Sequence, residues 1–253
     1  MNKYIFIDHV NCSYGKKQVL SDIVMEIEKE DIIFLMGNNG SGKTTLLKCL
    51  LNQLSFQKGS ILFEGRQGSS LSRAEFAKMI SYVPQNINVT CDLQVKDYLV
   101  LGRNPYIQFG NPSEDDYEKV KEYALQTGIS DILTQSFYSL SGGQKQWVTI
   151  TRALIQETPI LIMDEPMAAL DLGKQAELLV LLKRLREEFG KTVILTSHNP
   201  NHCFCIDSKV CLLHNKHILA FGNSEEVFTQ EHLYTVYGKY ILRQSDNLIT
   251  FSL

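Results

Sequence analysis

Gly37-Asn38-Asn39-Gly40-Ser41-Gly42-Lys43-Thr44-Thr45 is the stretch that decides the fold. From Gly37 through Thr44 it fits G-x-x-x-x-G-K-[ST], a phosphate-binding loop. Its flanks agree. Ile32-Ile33-Phe34-Leu35-Met36 before it is short, apolar and β-prone, a buried strand. Thr45 to Leu51 after it has helical character. A strand, a glycine turn and a helix N-terminus make an anion site, because free backbone N–H groups and the helix dipole both favour negative charge. Gly37, Gly40 and Gly42 let the backbone close around phosphates. Lys43 is expected to reach the β- and γ-phosphates, and the Thr44 hydroxyl to bind Mg²⁺.

The totals bound the rest. The chain has 253 residues, 44% hydrophobic and 21% charged, which suits one large domain or a domain with a lobe. A net charge of −3 gives no support for nucleic-acid binding. There is no run of about 18 apolar residues to span a membrane. Met1-Asn2-Lys3-Tyr4 does not open a secretion signal, so six cysteines read as reduced thiols of a cytosolic protein.

Outward from the loop, Tyr4–Val10 and Ile23–Ile27 are strand candidates on either side of a polar turn, Ser13 to Lys17. They predict a small antiparallel sheet beside the core. Tyr14 is either a packing residue or an aromatic platform for an adenine ring. Gly59–Gly65 is a further strand. Ser72 and Glu75 form a capping box, and Ile80–Val83 is a strand closed by Pro84-Gln85. From Asn86 to Glu157 the pattern is helical, with helices expected at Val95–Gly102, from Ser113 to Gly128, and from Ser141. This predicts a helical subdomain, 86–157, inserted into a nucleotide-binding core of 1–85 and 158–253 within one domain, 1–253. Pro159–Met163 is a buried strand ending in Asp164-Glu165. Gly173–Phe189 is an amphipathic helix with Leu178, Leu181, Leu182 and Leu185 on one face. Thr192–Ser197 is a buried strand before His198. Lys209–Phe221 is a hairpin turning at Asn215-Lys216, Ser224–Tyr237 is a helix, and a weak hairpin turns around Asp246-Asn247. Alternating strands and helices give an α/β fold with a mostly parallel sheet, and ligands bind at the carboxyl ends of its strands. Gly37, Gln85, Asp164 and His198 each follow a predicted strand, so they can share one rim.

Asp164 stands where a phosphate-loop NTPase keeps its Mg²⁺-holding aspartate, and Glu165 beside it can polarise an attacking water. Leu140-Ser141-Gly142-Gly143-Gln144 joins a capping serine to two glycines that leave a helix N-terminus bare for a phosphate.

In this order the motifs resemble those of the ATP-binding cassette (ABC) ATPases over nearly the whole chain. Gly37–Thr44 resembles Walker A and Gln85 the Q-loop. Leu140–Gln144 matches the family signature, and Ile160–Asp164 resembles Walker B. Glu165 falls at the catalytic glutamate, Ala169-Leu170-Asp171 at the D-loop, His198 at the switch histidine and Tyr14 at the adenine-stacking aromatic. Met167-Ala168 departs from the commoner Thr-Ser. The resemblance implies ATP and Mg²⁺, with Thr44, Gln85 and Asp164 as metal ligands and Lys43, Gln85, Glu165 and His198 in catalysis. It implies nucleotide contacts from Tyr14, Gly37, Asn38, Asn39, Gly40, Ser41, Gly42, Lys43, Thr44, Thr45, Ser141, Gly142, Gly143, Gln144 and Asp171. Two copies pair head to tail in this family, and Ser141 and Gly143 of one meet the γ-phosphate bound to the other.

Val95 to Tyr106 and Leu233-Tyr234-Thr235-Val236-Tyr237-Gly238 are similar to importers for iron-siderophores, haem and cobalamin. That likeness implies a peripheral ATPase at the cytoplasmic face of the membrane, a permease partner and, indirectly, an extracellular or periplasmic binding protein. The alternatives are a cluster-assembly ATPase and an exporter ATPase. His202, Cys203, Cys205, Cys211, His214 and His217 lie close in sequence but lack a paired C-x₂-C knuckle, so they read as buried, inert cysteines rather than a metal site.

Overall fold

The computed structural model describes residues 4–87, 89, 91–107, 110–244 and 248–251. The first strands and helix are β1 (Ile5–Tyr14), β2 (Lys17–Ile27), β3 (Ile32–Met36), α1 (Lys43–Leu50), β4 (Lys58–Phe63) and β5 (Arg66–Gln67). Then come α2 (Arg73–Met79), β6 (Ile80–Val83), α3 (Val95–Val100), α4 (Glu114–Gln126), α5 (Gly142–Ile155), β7 (Ile160–Met163) and α6 (Leu172–Glu187). The chain ends with β8 (Thr192–Thr196), α7 (His202–Cys205), β9 (Lys209–His214), β10 (His217–Asn223), α8 (Ser224–Val227), α9 (Gln230–Tyr237), β11 (Ile241–Arg243) and β12 (Ile249–Phe251). Two compact units result, Met1–Leu71 with Leu178–Leu253, and Ser72–Glu177, and the division falls within α6.

In the first unit β3 is flanked by parallel β8 and β9, and antiparallel β10 extends the row as β10-β9-β3-β8. All five residues of β3 and all five of β8 are buried, as parallel strands covered on both faces require. Because β3 and β8 are parallel, the Gly37 loop and the His198 segment leave at the same end. A separate antiparallel sheet runs β2-β1-β4-β5. Here β1 continues to Tyr14 and β2 starts at Lys17, so the polar turn expected from Ser13 to Lys17 shrinks to Gly15-Lys16. The reason is a bulge. His9 takes φ +49° and the register shifts between Ile7 and Val10, which lets pairing resume beyond the break. The β9–β10 hairpin turns at Asn215-Lys216 with φ of +46° and +75°, the two left-handed residues of a type I′ turn.

Two further sequence expectations need correction in this unit. The single helix expected over Ser224–Tyr237 is two, α8 and α9, because Thr229 caps α9 by accepting from the His232 N–H (3.1 Å). On α6, Leu179 is buried with Leu178, Leu182 and Leu185, while Leu181 is only half-buried. The expected turn at Asp246-Asn247 lies outside the described residues. The strands beside it, β11 and β12, pair antiparallel.

In the second unit β6 and β7 are parallel in the register Ile80↔Ile160 to Val83↔Met163. The Asp164 N–H donates to the Val83 carbonyl (2.9 Å), so Pro84-Gln85 and Asp164-Glu165 emerge side by side. The three helix starts expected from Ser72, Ser113 and Ser141 are all reciprocal capping boxes. Each satisfies two helix-end donors that would otherwise lack partners.

A charged knot joins α4 to the end of α5. Arg103 donates to Asp116 (3.1 Å), to Glu157 (2.8 Å) and to the Ile155 carbonyl (3.1 Å), and its guanidinium lies 4.2 Å from the Tyr106 ring. Burial raises the Asp116 carboxyl, but hydrogen bonds from Ser113 and Arg103 outweigh it and leave the group below its ordinary value. Burial likewise raises Glu157, and Lys119 and Arg103 lower it by more. Both carboxyls titrate lower in the folded chain than in the unfolded one. Their stabilisation is therefore present above the unfolded values, near pH 4, and lost as pH falls through the folded ones. Arg103→Ala is expected to cost about 3 kcal/mol in urea unfolding at pH 7, and less at pH 3. A loss under 1 kcal/mol at pH 7 would show that the knot is not stabilising.

Candidate nucleotide-binding site

In the first unit the loop Gly37–Gly42 connects buried β3 to α1. Gly37 has φ +138°, and a Cβ there would lie 2.2 Å from the Leu213 carbonyl of β9. Only glycine fits so close to a neighbouring strand. Gly42 has φ +110°, and a Cβ there would come within 2.7 Å of the Leu20 side chain. The loop is pressed between the two sheets of its own unit. Gly40, with φ +77°, has open space.

Lys43 is only 7% exposed, and its Nζ donates to the carbonyls of Gly37 (2.8 Å) and Asn38 (3.1 Å). The loop is thus curled around an ammonium. Thr44 is exposed, whereas Thr45 is buried. Among the described residues no side chain caps α1 and its first turn holds no acidic residue, so its N–H groups suit an anion. The Ser41 hydroxyl is buried with no hydrogen-bond partner among the described residues. Buried polar atoms are rarely left so, and a phosphate oxygen is the kind of acceptor that would satisfy it. Asn39 and Gly40 are exposed, while Asn38 donates through Nδ2 to the Val236 carbonyl of α9. Tyr14 is 47% exposed at the end of β1, and His198 is exposed just past β8.

The second unit assembles a different set. The Gln85 Nε2 donates to the Glu165 carboxylate (2.8 Å). Glu165 adopts φ +49°, a left-handed conformation that costs a non-glycine residue about 1–3 kcal/mol and that clusters at functional sites. Asp164 beside it is 2% exposed. Ser141 Oγ accepts from the Gln144 N–H (3.3 Å), and Gln144 Oε1 accepts from the Ser141 N–H (2.9 Å). The serine cap expected at this helix start is present, and the box leaves the Gly142 and Gly143 amides. A Cβ at Gly142 would meet nothing within 4 Å, and one at Gly143 would lie 3.2 Å from the Ala169 carbonyl. The signature turn and the Ala169-Leu170-Asp171 segment are thus neighbours. Asp171 Oδ1 accepts from the Lys174 N–H (2.9 Å) at the start of α6.

Two contacts were not legible beforehand. Gln175 Nε2 reaches back to the carbonyls of Met167 (3.2 Å) and Leu170 (3.0 Å), pinning the segment after Glu165. Its position in a polar helical turn carried no signal. The Asn38 bond to Val236 spans 198 positions, which no local pattern reports.

The histidine and cysteine cluster does not converge: among the described residues no group of three or more His, Cys, Asp or Glu could hold a metal ion. Cys203 and Cys211 are buried, and burial pushes the Cys211 thiol up to about 12. Cys205 is exposed, contrary to the expectation, because the short α7 turns it outward while Cys203 points in.

The ABC transporter family model matches residues 20–168. The petrobactin import ATP-binding protein of Bacillus anthracis is 30% identical over 235 residues, 92% of this chain and 86% of that protein. The manganese transport system ATP-binding protein of Bacillus subtilis is 35% identical over 237 residues, 92% of this chain and 91% of that one. A solved metal-chelate type ABC transporter in an inward-facing conformation superposes with a TM-score of 0.84 at 28% identity, covering 99% of this chain and 97% of that chain. From the glycine loop to the signature helix the motifs and the family match coincide, and the chain belongs to the ABC transporter family.

Proposed function

We propose that the chain is the ATP-hydrolysing subunit of an ABC importer that takes up a metal chelate through a membrane permease. The observation that carries the hydrolytic part is the Gln85–Glu165 hydrogen bond at the ends of two parallel strands, with Glu165 held at positive φ. A carboxylate fixed in this way can orient a water and accept its proton. Phosphoryl transfer asks for little else beyond positioning and charge stabilisation. The importer part rests on the relatives, whose names describe petrobactin import and manganese transport.

In this reading Lys43, Gly37, Asn38, Asn39, Gly40, Ser41, Gly42, Thr44 and Thr45 bind the phosphates and Tyr14 stacks on the adenine. Releasing Lys43 from its two loop carbonyls is the local cost of engaging phosphate. The Thr44 hydroxyl, the Gln85 amide oxygen and the Asp164 carboxylate are hard oxygen donors, the class that Mg²⁺ takes. They would hold that ion, which supplies charge neutralisation on the phosphates when bound. His198 contacts the γ-phosphate.

Each motif occurs once, so a complete site needs a second copy, with Ser141, Gly142, Gly143, Gln144 and Asp171 serving the partner's nucleotide. The helical stretch 86–157 forms the subdomain that carries the signature, and 1–85 with 158–253 forms the core. Gln85 links the nucleotide to the permease. A binding protein outside the membrane delivers the chelate, and the chain sits on the cytoplasmic face. Among the described residues no helix is long and apolar enough to cross a membrane.

Glu165→Gln is expected to keep ATP binding and accumulate an ATP-bound dimer in gel filtration, while phosphate release falls about 10²–10³-fold. Hydrolysis at the normal rate in that variant would remove Glu165 from the role of base. Ser141→Arg is expected to abolish ATPase activity while losing only the cap, about 1 kcal/mol of stability. Full activity there would argue against a site shared between copies. Affinity purification from detergent-solubilised membranes is expected to recover a multi-span membrane protein, and recovering none would sink the transport reading.

A further inference from the structure

The phosphate loop has a neighbour far along the chain, within the Leu233–Gly238 stretch. Helix α9 presents the Val236 carbonyl to the Asn38 side chain. One residue on, the Tyr237 hydroxyl is buried and without a hydrogen-bond partner among the described residues. It lies against the Gly37 N–H, outside hydrogen-bond geometry, and burial pushes it up to about 12. Two buried hydroxyls lacking partners, Ser41 Oγ and Tyr237 Oη, therefore belong to this loop and its immediate support. The helix cannot easily retreat. Gln230 at its start donates to the Ile241 carbonyl (2.7 Å) and accepts from the Arg243 N–H (3.0 Å), which clips the helix to β11.

An unpaired buried hydroxyl is costly, because it has given up water and gained nothing. In this structure the Gly37 and Asn38 carbonyls are served by the Lys43 ammonium. If Lys43 turns to phosphate, those two carbonyls lose a charged donor and the loop must redistribute its hydrogen bonds. A phenol can both donate and accept.

We propose that Tyr237 is a positioning residue of the phosphate loop, whose hydroxyl makes its hydrogen bond to the Gly37-Asn38 backbone only when nucleotide fills the loop. The proposal rests on the nucleotide-binding reading above. It makes α9 a contributor to ATP affinity, although it lies about 200 residues away in sequence.

Tyr237→Phe in the full chain removes the oxygen and keeps the ring. Calorimetric titration with Mg-ATP is expected to give a Kd about 3–10-fold higher, the range one hydrogen bond supplies. The nucleotide-free Tm is expected to stay level or rise, since the deleted hydroxyl had no partner. A purely structural tyrosine would do the reverse, lowering that Tm. An unchanged Kd, or a nucleotide-free Tm lower by several degrees, overturns the proposal. If the unsubstituted chain fails to bind Mg-ATP, the nucleotide-binding reading itself fails and this proposal falls with it. Equal binding by both chains would refute the role of Tyr237 alone.

Discussion

A lysine ammonium held by two carbonyls of its own loop is the interaction around which the first unit is arranged. Lys43 can sit there, at 7% exposure, only because Gly37 and Gly42 let the backbone wrap tightly. Gly37 is wedged against the Leu213 carbonyl, and Gly42 against Leu20. Buried cations are tolerated when hydrogen-bonded, and the carbonyls supply that. The same loop meets α9, through the Asn38 side chain and the Val236 carbonyl.

The second unit stores its tension differently. Glu165 is held in a left-handed conformation directly after a fully buried strand, and Gln85 and the pinned segment behind it keep it there. The Arg103 knot, with carboxylates on two sides, ties α4 to the end of α5 in the same unit. A stiff support is what a positioned carboxylate needs, since displacement by an ångström costs far more in rate than in stability.

Much of this was legible locally. The glycine loop, the three capping serines and the apolar strands β3, β7 and β8 are short-range signals, in which residue type and spacing state the backbone conformation directly. The extent of β1, the break between α8 and α9, and the outward turn of Cys205 were not. A bulge at His9, a cap at Thr229 and a four-residue helix each shift an outcome that average propensity would place elsewhere.

The amino-acid order by itself determined the phosphate loop, the signature turn, the carboxylate pair and the family, because those depend on residues within a few positions of one another. Only tertiary structure decided what braces them. The bond from Asn38 to Val236, the buried hydroxyl of Tyr237 beside Gly37, and the reach of Arg103 to Asp116 and Glu157 join residues far apart in the chain. Such pairings are set by which strands and helices pack together, and no local periodicity encodes them.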